Sequence, residues 1–247
     1  AWTPAALQAP PATAHAPRHL LLFDNDAERA KRARARGVST VLVLPGAAFD
    51  ASSDDTLRID PRDPAHATRL FEVLEARGIE PEDIAFSWNE GGAPDSAEAL
   101  QAALEHGVLA FLHVARAVVE RKGASRRTRI AYAWSVQAGA SAPQHEAIAG
   151  FVRTLRLEHP KCDAKAVELR GLSVDAATDA LLAEFDPALQ DDIVVRHGVQ
   201  GREVRGLKPL ALSSAAAEQE IVFKEGGVYL ITGGAGGLGM VFAEHLA

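Results

Sequence analysis

The sequence predicts an α/β fold, a doubly wound and mostly parallel sheet with helices on both faces. Two observations carry this expectation. Short apolar runs of strand length alternate with longer segments of helical periodicity over most of the 247 residues, an order that requires crossover connections between parallel strands. Near the end, residues 226–247 read GGVYLITGGAGGLGMVFAEHLA. There an apolar run enters a glycine-rich turn and opens a helix, so the alternation begins again as the first βα of a second unit.

Residues 3–17 hold Pro4, Pro10, Pro11 and Pro17 among alanines. Proline removes amide donors and biases the backbone toward extended forms, so residues 1–17 are expected to be a linker and lead-in segment, with Trp2 docked on the domain. LLLF (20–23) has the length and composition of a buried strand. ERAKRARARG (28–37) is a basic helix closing at Gly37. VSTVLVL (38–44) and LRID (57–60) are further strands, and between LRID and the stop at Gly78, Ala67, Leu70, Phe71 and Leu74 recur at helical spacing.

DIAFSW (83–88) is a strand. Asp95 and Ser96 then cap the longest helix, whose apolar stripe reads Leu100, Leu104, Val108, Phe111, Leu112, Ala115 and Val119. IAYAW (130–134), a helix with Ile148, Phe151, Val152 and Leu155, AKAVEL (164–169), and a helix with Ala177, Leu181 and Leu182 come next in turn. DIVVRHG (192–198) with REVRGLKPL (202–210) completes a unit spanning 18–211. LSSAAAEQE (212–220) is rich in small residues, so 212–226 is expected to be a linker, and 227–247 the incomplete start of the second unit: strand VYLI (228–231), turn, helix.

The net charge is −7, which argues against nucleic acid or an anionic membrane as partner, and no apolar run approaches the ~20 residues of a membrane span. A single cysteine, Cys162, excludes an internal disulfide and a thiolate metal cluster, and points to the reducing cytoplasm. The nine histidines are scattered without metal-ligand spacing. Residue 1 is Ala, a hint that the chain is cut from something longer. Arg29, Lys31, Arg32, Arg34 and Arg36 form a basic run expected to be a solvated helix face, with a docking patch for an acidic protein as the alternative. Trp88 and Trp134, at strand ends, are expected core anchors.

Gly234, Gly236 and Gly239 fit a G-x-G-x-x-G spacing, in which bare backbone approaches a pyrophosphate at the positive end of a helix. Thr232, Gly233, Gly237 and Gly239 also match a T-G-x-x-x-G-x-G turn. In this the chain resembles the short-chain dehydrogenases/reductases, and GGVYLITGGAGGLG is similar to the opening of the catalytic subdomain in ketoreductase domains of modular polyketide synthases. GFVRTLRLEHP (150–160) resembles the G-x-x-R-T-L-x-x-E-H-P helix of their structural subdomain, and VVRHGVQGREVRGLKPL (194–210) its closing hairpin. WTPA (2–5) is similar to the segment that runs between the subdomains.

The resemblance implies a degenerate, truncated Rossmann-like structural subdomain followed by the first βα of a catalytic one, whose remainder lies elsewhere by truncation or by a split between polypeptides. It implies reduction of a β-ketoacyl group on an acyl carrier protein with NADPH, with neighbouring synthase domains as partners. Thr232, Gly233, Gly234, Ala235, Gly237, Leu238 and Gly239 are the implied cofactor-facing residues.

Such chemistry needs a Tyr with a Lys or Asn four residues on, to protonate the carbonyl as hydride arrives. The tyrosines are Tyr132 and Tyr229, with Val136 and Gly233 at that spacing after them. The Tyr and Lys places of an ordinary reductase fall near Ser141 and His145, and Ser135 sits where its Ser would be. No catalytic residue is therefore assigned, and the chain alone is expected to be inactive. Asp24, Asn25 and Asp26 stand where phosphates would need neutral donors. The alternative reading is a noncatalytic scaffold or docking module of a multienzyme synthase.

Overall fold

The computed structural model describes residues 1–5, 19–90, 92–121, 127–209 and 223–247. The chain divides into two compact units, Ala1–Gly206 and Leu207–Ala247. Of the two expected linkers, residues 6–17 and 212–222 lie outside the described residues.

The first unit is a nine-stranded sheet built from β1 (Trp2–Pro4), β2 (Leu20–Phe23), β3 (Thr40–Pro45), β4 (Thr56–Ile59), β5 (Asp83–Glu90), β6 (Thr128–Val136), β7 (Cys162–Arg170), β8 (Val194–Gly198) and β9 (Gly201–Arg205). Their order is β1-β9-β8-β7-β6-β5-β2-β3-β4. Strands β2 to β8 run parallel, and β9 and β1 are antiparallel additions at one edge. Strand order reverses at β2 and β5, so the carboxyl ends of these two strands flank the crevice where open α/β sheets bind ligands.

The period of two in each strand divides the core. Ile130, Tyr132 and Trp134 of β6 join Phe23, Phe86 and Trp88 on one face, under helices α2 (Pro64–Ala76), α4 (Ala110–Glu120) and α6 (Ile148–Glu158). The intervening Ala131 and Ala133, with Ala85, face α1 (Glu28–Ala35) and α7 (Val174–Ala183). Bulky aromatics thus fill one layer and alanines let the other helices come close. Trp88 and Trp134 are buried, as expected of core anchors.

The helix limits agree with the expected signals. Ser96 accepts the Ala99 amide at the start of α3 (Ala97–Leu104), as expected; the structure adds a cap at Asp63, which accepts the Ala65 amide at the start of α2. Gly37 and Gly78, which close α1 and α2, have φ of +80° and +69°.

Between α3 and α4 the long helix contains a π-helical turn, Glu105–Leu109. The extra residue rotates α4 by roughly 100° relative to its place in a regular helix. The expected stripe is therefore wrong at two places. Leu100 and Leu112 are exposed, while Ala110, Val114 and Val118 are buried instead. Ala97–Glu120 is long and apolar enough to cross a bilayer by length and composition. Its C-terminal half is nonetheless a core helix, with Phe111, Val114 and Ala115 packed in the aromatic layer.

The basic run is a solvated face only in part, with Lys31 and Arg36 exposed. Arg29 is buried, paired with Asp24 and bonded to Ser87 Oγ. Arg32 and Arg36 pair with Asp175 and Asp179, so the run joins α1 to α7 across the alanine-lined side. Arg34 bonds the carbonyls of Thr40 and Asp55. Only Lys31 stays local, with Glu28. Carboxylates of the same unit answer this charge, so it is not a patch reserved for an acidic partner.

Residues 2–4, expected to be part of the lead-in segment, are a strand. Ala1 and Gly206 exchange both backbone hydrogen bonds, and the Arg196 guanidinium lies 4.0 Å from the Trp2 ring centroid. Trp2 docks, as expected.

At the hairpin end of the sheet, Glu184 is 1% exposed. Its carboxylate accepts from His197 Nε2 at 2.6 Å, Arg202 Nε at 2.7 Å and Lys165 Nζ at 2.8 Å. Burial works to raise its pKa, but these hydrogen bonds and charges overcome it and hold the carboxyl well below its usual range.

In the second unit, α8 (Gly237–Leu246) forms as expected. Residues 228–231, expected to be a strand, are not one. A strand is held by ladder bonds to a neighbour, and the described residues of this unit contain no second strand to provide them. Val228 and Leu230 are fully or almost fully exposed.

Candidate functional site

Two places resemble cofactor sites, one in each unit. In the second unit, the turn after residue 231 is built from its own backbone. The Gly234 amide donates to Ile231 O at 3.2 Å, the Gly236 amide to Gly233 O at 2.9 Å, and the Met240 amide to Gly236 O at 2.9 Å. Gly233 has φ +75°, which favours glycine. A Cβ on Gly239 would run into Gly233 O and lie 2.6 Å from Gly234 Cα, so the turn can pack on the helix only if residue 239 is glycine.

Gly237 differs, since a Cβ there would meet nothing within 4 Å. That open side faces away from the packed turn. The first-turn amides of Gly237, Leu238 and Gly239 have no intrahelical acceptor, and the helix dipole adds partial positive charge beside them. Thr232, Gly233, Gly234, Ala235, Gly237, Leu238 and Gly239 thus sit together in one turn and helix start, with Gly239 and Gly233 serving the backbone and Gly237 leaving the approach clear. Donors of this kind suit a phosphate.

In the first unit, the corresponding place after β2 is closed. Asp24 Oδ1 accepts the Asn25 amide at 2.7 Å and Asp26 Oδ1 the Glu28 amide at 2.7 Å. Of the first-turn amides of α1, that of Glu28 is held by Asp26, and the carboxylates of Asp24 and Asp26 give this turn negative charge where an anion would need the opposite. Burial pushes Asp24 up to about 6, against the opposing pull of Arg29 and the Asn25 amide. Arg29 is itself occupied by Asp24 and Ser87.

Beside this closed turn lies a cavity of about 310 Å³ lined by Asn25, Trp88, Asn89, His106 and His145 among others. His145 Nδ1 bonds the Tyr132 hydroxyl at 2.8 Å. Burial lowers the His145 pKa to about 4 and raises that of Tyr132, so both are neutral near pH 7. Asn89 donates to Ala133 O at 3.0 Å, and its Oδ1 is buried without a partner. Ser135 lines a different cavity, of about 440 Å³, with Gln137 and Ser173, and Ser141 is exposed. The structure therefore does not bring Ser135, Ser141 and His145 into one site. Among the described residues no cluster could hold a metal ion.

Asn89 and Gly107 were not singled out from sequence. A glycine inside an apolar helix is the signal that could have found them. A Cβ on Gly107 would lie 2.6 Å from Asn89 Oδ1, 3.1 Å from the Tyr132 hydroxyl and 3.3 Å from His145 Cε1. Gly107→Ala is expected to cost about 2 kcal/mol in urea unfolding, because the methyl overpacks a filled site. His145 gives a second expectation. Its folded pKa is depressed, so the unfolded chain binds the extra proton between about 4 and 6.5, and this residue's contribution to stability falls as pH falls through that window. Relative to His145→Gln, the wild type should lose about 3 kcal/mol between pH 7 and pH 4.

Residues 18–185 match the family described as "Beta-ketoacyl synthase-like, N-terminal". The chain belongs to that family. It is 32% identical over 241 residues to the polyketide synthase ThaG of Burkholderia thailandensis, an alignment covering 92% of this chain and 4% of that protein. Polyketide synthase PksL of Bacillus subtilis is 35% identical over 101 residues, covering 40% of this chain and 2% of the other. The chain therefore spans only a few per cent of the length of these relatives.

The fold is similar to that of an N-terminal ketoreductase from the macrolactin assembly line, with a TM-score of 0.77, 21% identity, and coverage of 100% of this chain and 50% of that one. A short-chain dehydrogenase/reductase from Serratia marcescens matches with a TM-score of 0.53 at 10% identity, covering 72% of this chain and 95% of that one. The chain has a Rossmann-type α/β fold and matches a segment of polyketide synthases.

Proposed function

We propose that this chain is the structural part of a polyketide synthase ketoreductase, which in the complete enzyme reduces a β-ketoacyl group on an acyl carrier protein to the β-hydroxyacyl form. The observation that carries this reading is the contrast between the two turns. Asp24 and Asp26 put two carboxylates at the first unit's turn, one of them on the Glu28 amide, whereas the turn at 232–239 has no acidic side chain and leaves open space at Gly237. The first unit thus serves as architecture and the second as the start of a cofactor site.

NADPH fits the chemistry of the second turn. The amides of Gly237, Leu238 and Gly239 would hold its pyrophosphate, with Thr232, Gly233, Gly234 and Ala235 shaping the approach. When bound, NADPH supplies the hydride for the carbonyl carbon. The proton for the carbonyl oxygen comes, in this reading, from the remainder of the catalytic subdomain, since Tyr132 is buried against His145 and Ser141 faces solvent. Neighbouring synthase domains are the other partners, in the reducing cytoplasm.

Leu238, Val241 and Phe242 are all more than half exposed, apolar surface that the rest of a catalytic subdomain would cover. Mixing the chain with the polypeptide encoded directly downstream should yield a complex on size-exclusion chromatography, and Phe242→Asp should weaken it at least tenfold. Absence of a complex, or one indifferent to this substitution, would contradict the assignment.

A further inference from the structure

We propose that the cavity between β2, β5 and α3 binds a small uncharged carboxamide. It measures about 310 Å³, room for one ring or a short amide chain, and lies where strand order reverses. The chemistry of its wall sets the ligand class. With the Tyr132 hydroxyl donating to His145 Nδ1, the neutral ring carries its hydrogen on Nε2, which is left as a donor. Asn25 spends its Nδ2 on Trp88 O, which leaves Oδ1 as an acceptor. Asn89, 2% exposed, also lines the wall, with its Nδ2 on Ala133 O and its Oδ1 turned to Gly107 and away from the cavity.

A ligand that answers these groups needs a carbonyl oxygen and an N–H in one small neutral group, and an amide has both. Anions are disfavoured. Asp24 and Asp26 stand next to Asn25, and the Arg29 guanidinium is already held by Asp24 and Ser87. The helical wall of the cavity is Ala102, Ala103 and His106, and the small side chains of the two alanines leave the space open. This site is independent of whether the second unit takes part in a reduction.

The test uses the full chain, carbon-13 labelled in histidine, with the His145 ring signal tracked by NMR. Nicotinamide, pantetheine and ADP are titrated separately. Saturable shifts in the millimolar range are expected from at least one of the two amides. Saturation by nicotinamide alone points to a heterocyclic ligand, and by pantetheine alone to an aliphatic arm. ADP should give none. Ala103→Leu should weaken the binding at least tenfold while leaving the spectrum of the core unchanged; should that variant disturb the fold, Ala102→Leu, at an exposed position, replaces it. The proposal is overturned by the absence of saturation with both amides up to about 50 mM, by tighter binding of ADP, or by amide binding that the leucine substitution leaves intact.

Discussion

Glu184→Gln is expected to destabilise the first unit by about 3–5 kcal/mol, the largest effect of any single substitution considered. The wild-type carboxylate meets three donors, and removing its charge leaves the buried Lys165 ammonium with no carboxylate in contact and Arg202 with Asp192 alone. Asp192 is in contact with Arg202, at 2.8 Å, and acts on Lys165 only from farther off. For a unit of this size the melting temperature should fall by on the order of 10 °C. Replacing Lys165 by Met in the same chain should recover part of the loss, because the double variant no longer buries an unpaired ammonium. A loss below about 1 kcal/mol would mean that water screens the cluster, contrary to its burial. The cluster ties β7, β8, β9 and the end of α7 together, so its loss should also loosen the edge on which β1 docks.

The second large effect belongs to the glycine turn and separates structure from ligand approach. In the assembled enzyme, Gly239→Ala should abolish reduction, since the methyl collides with Gly233 and the turn cannot pack on α8. Gly237→Ala should leave the fold intact, because no atom lies within 4 Å of the added Cβ, yet it should raise the KM for NADPH at least tenfold by filling the approach to the amides. Circular dichroism and steady-state kinetics together distinguish the two. Equal KM for wild type and Gly237→Ala would show that the cofactor does not pass over this glycine.

How much of this was legible in the sequence depends on how local each cause is. The parallel strands, the cap at Ser96 and the stops at Gly37 and Gly78 rest on neighbours within a few residues, so pattern and propensity find them. The glycine turn was legible for the same reason. The basic run of α1 was partly misread, because its partners Asp175 and Asp179 lie about 140 residues away, on a helix that only the fold brings alongside. The π-helical turn was hidden for a like reason. It sits at Gly107, where Asn89, Tyr132 and His145 converge from three other elements. Strand β1 is three residues with a proline at its end, too short for alternation to mark. Residues 228–231 have strand composition, but composition cannot provide the neighbour that a ladder requires.

The central claim is that this chain provides architecture and the first cofactor contacts, while the proton donor is supplied by the remainder of the catalytic subdomain. The most direct measurement is NADPH oxidation with a β-ketoacyl surrogate, made on this chain alone and again with the polypeptide encoded directly downstream. The account predicts no turnover by the chain alone and turnover in the mixture, lost with Gly239→Ala. Turnover by the chain alone, or an inactive mixture in which the two polypeptides are shown to associate, would contradict it, and the latter would favour a noncatalytic scaffold.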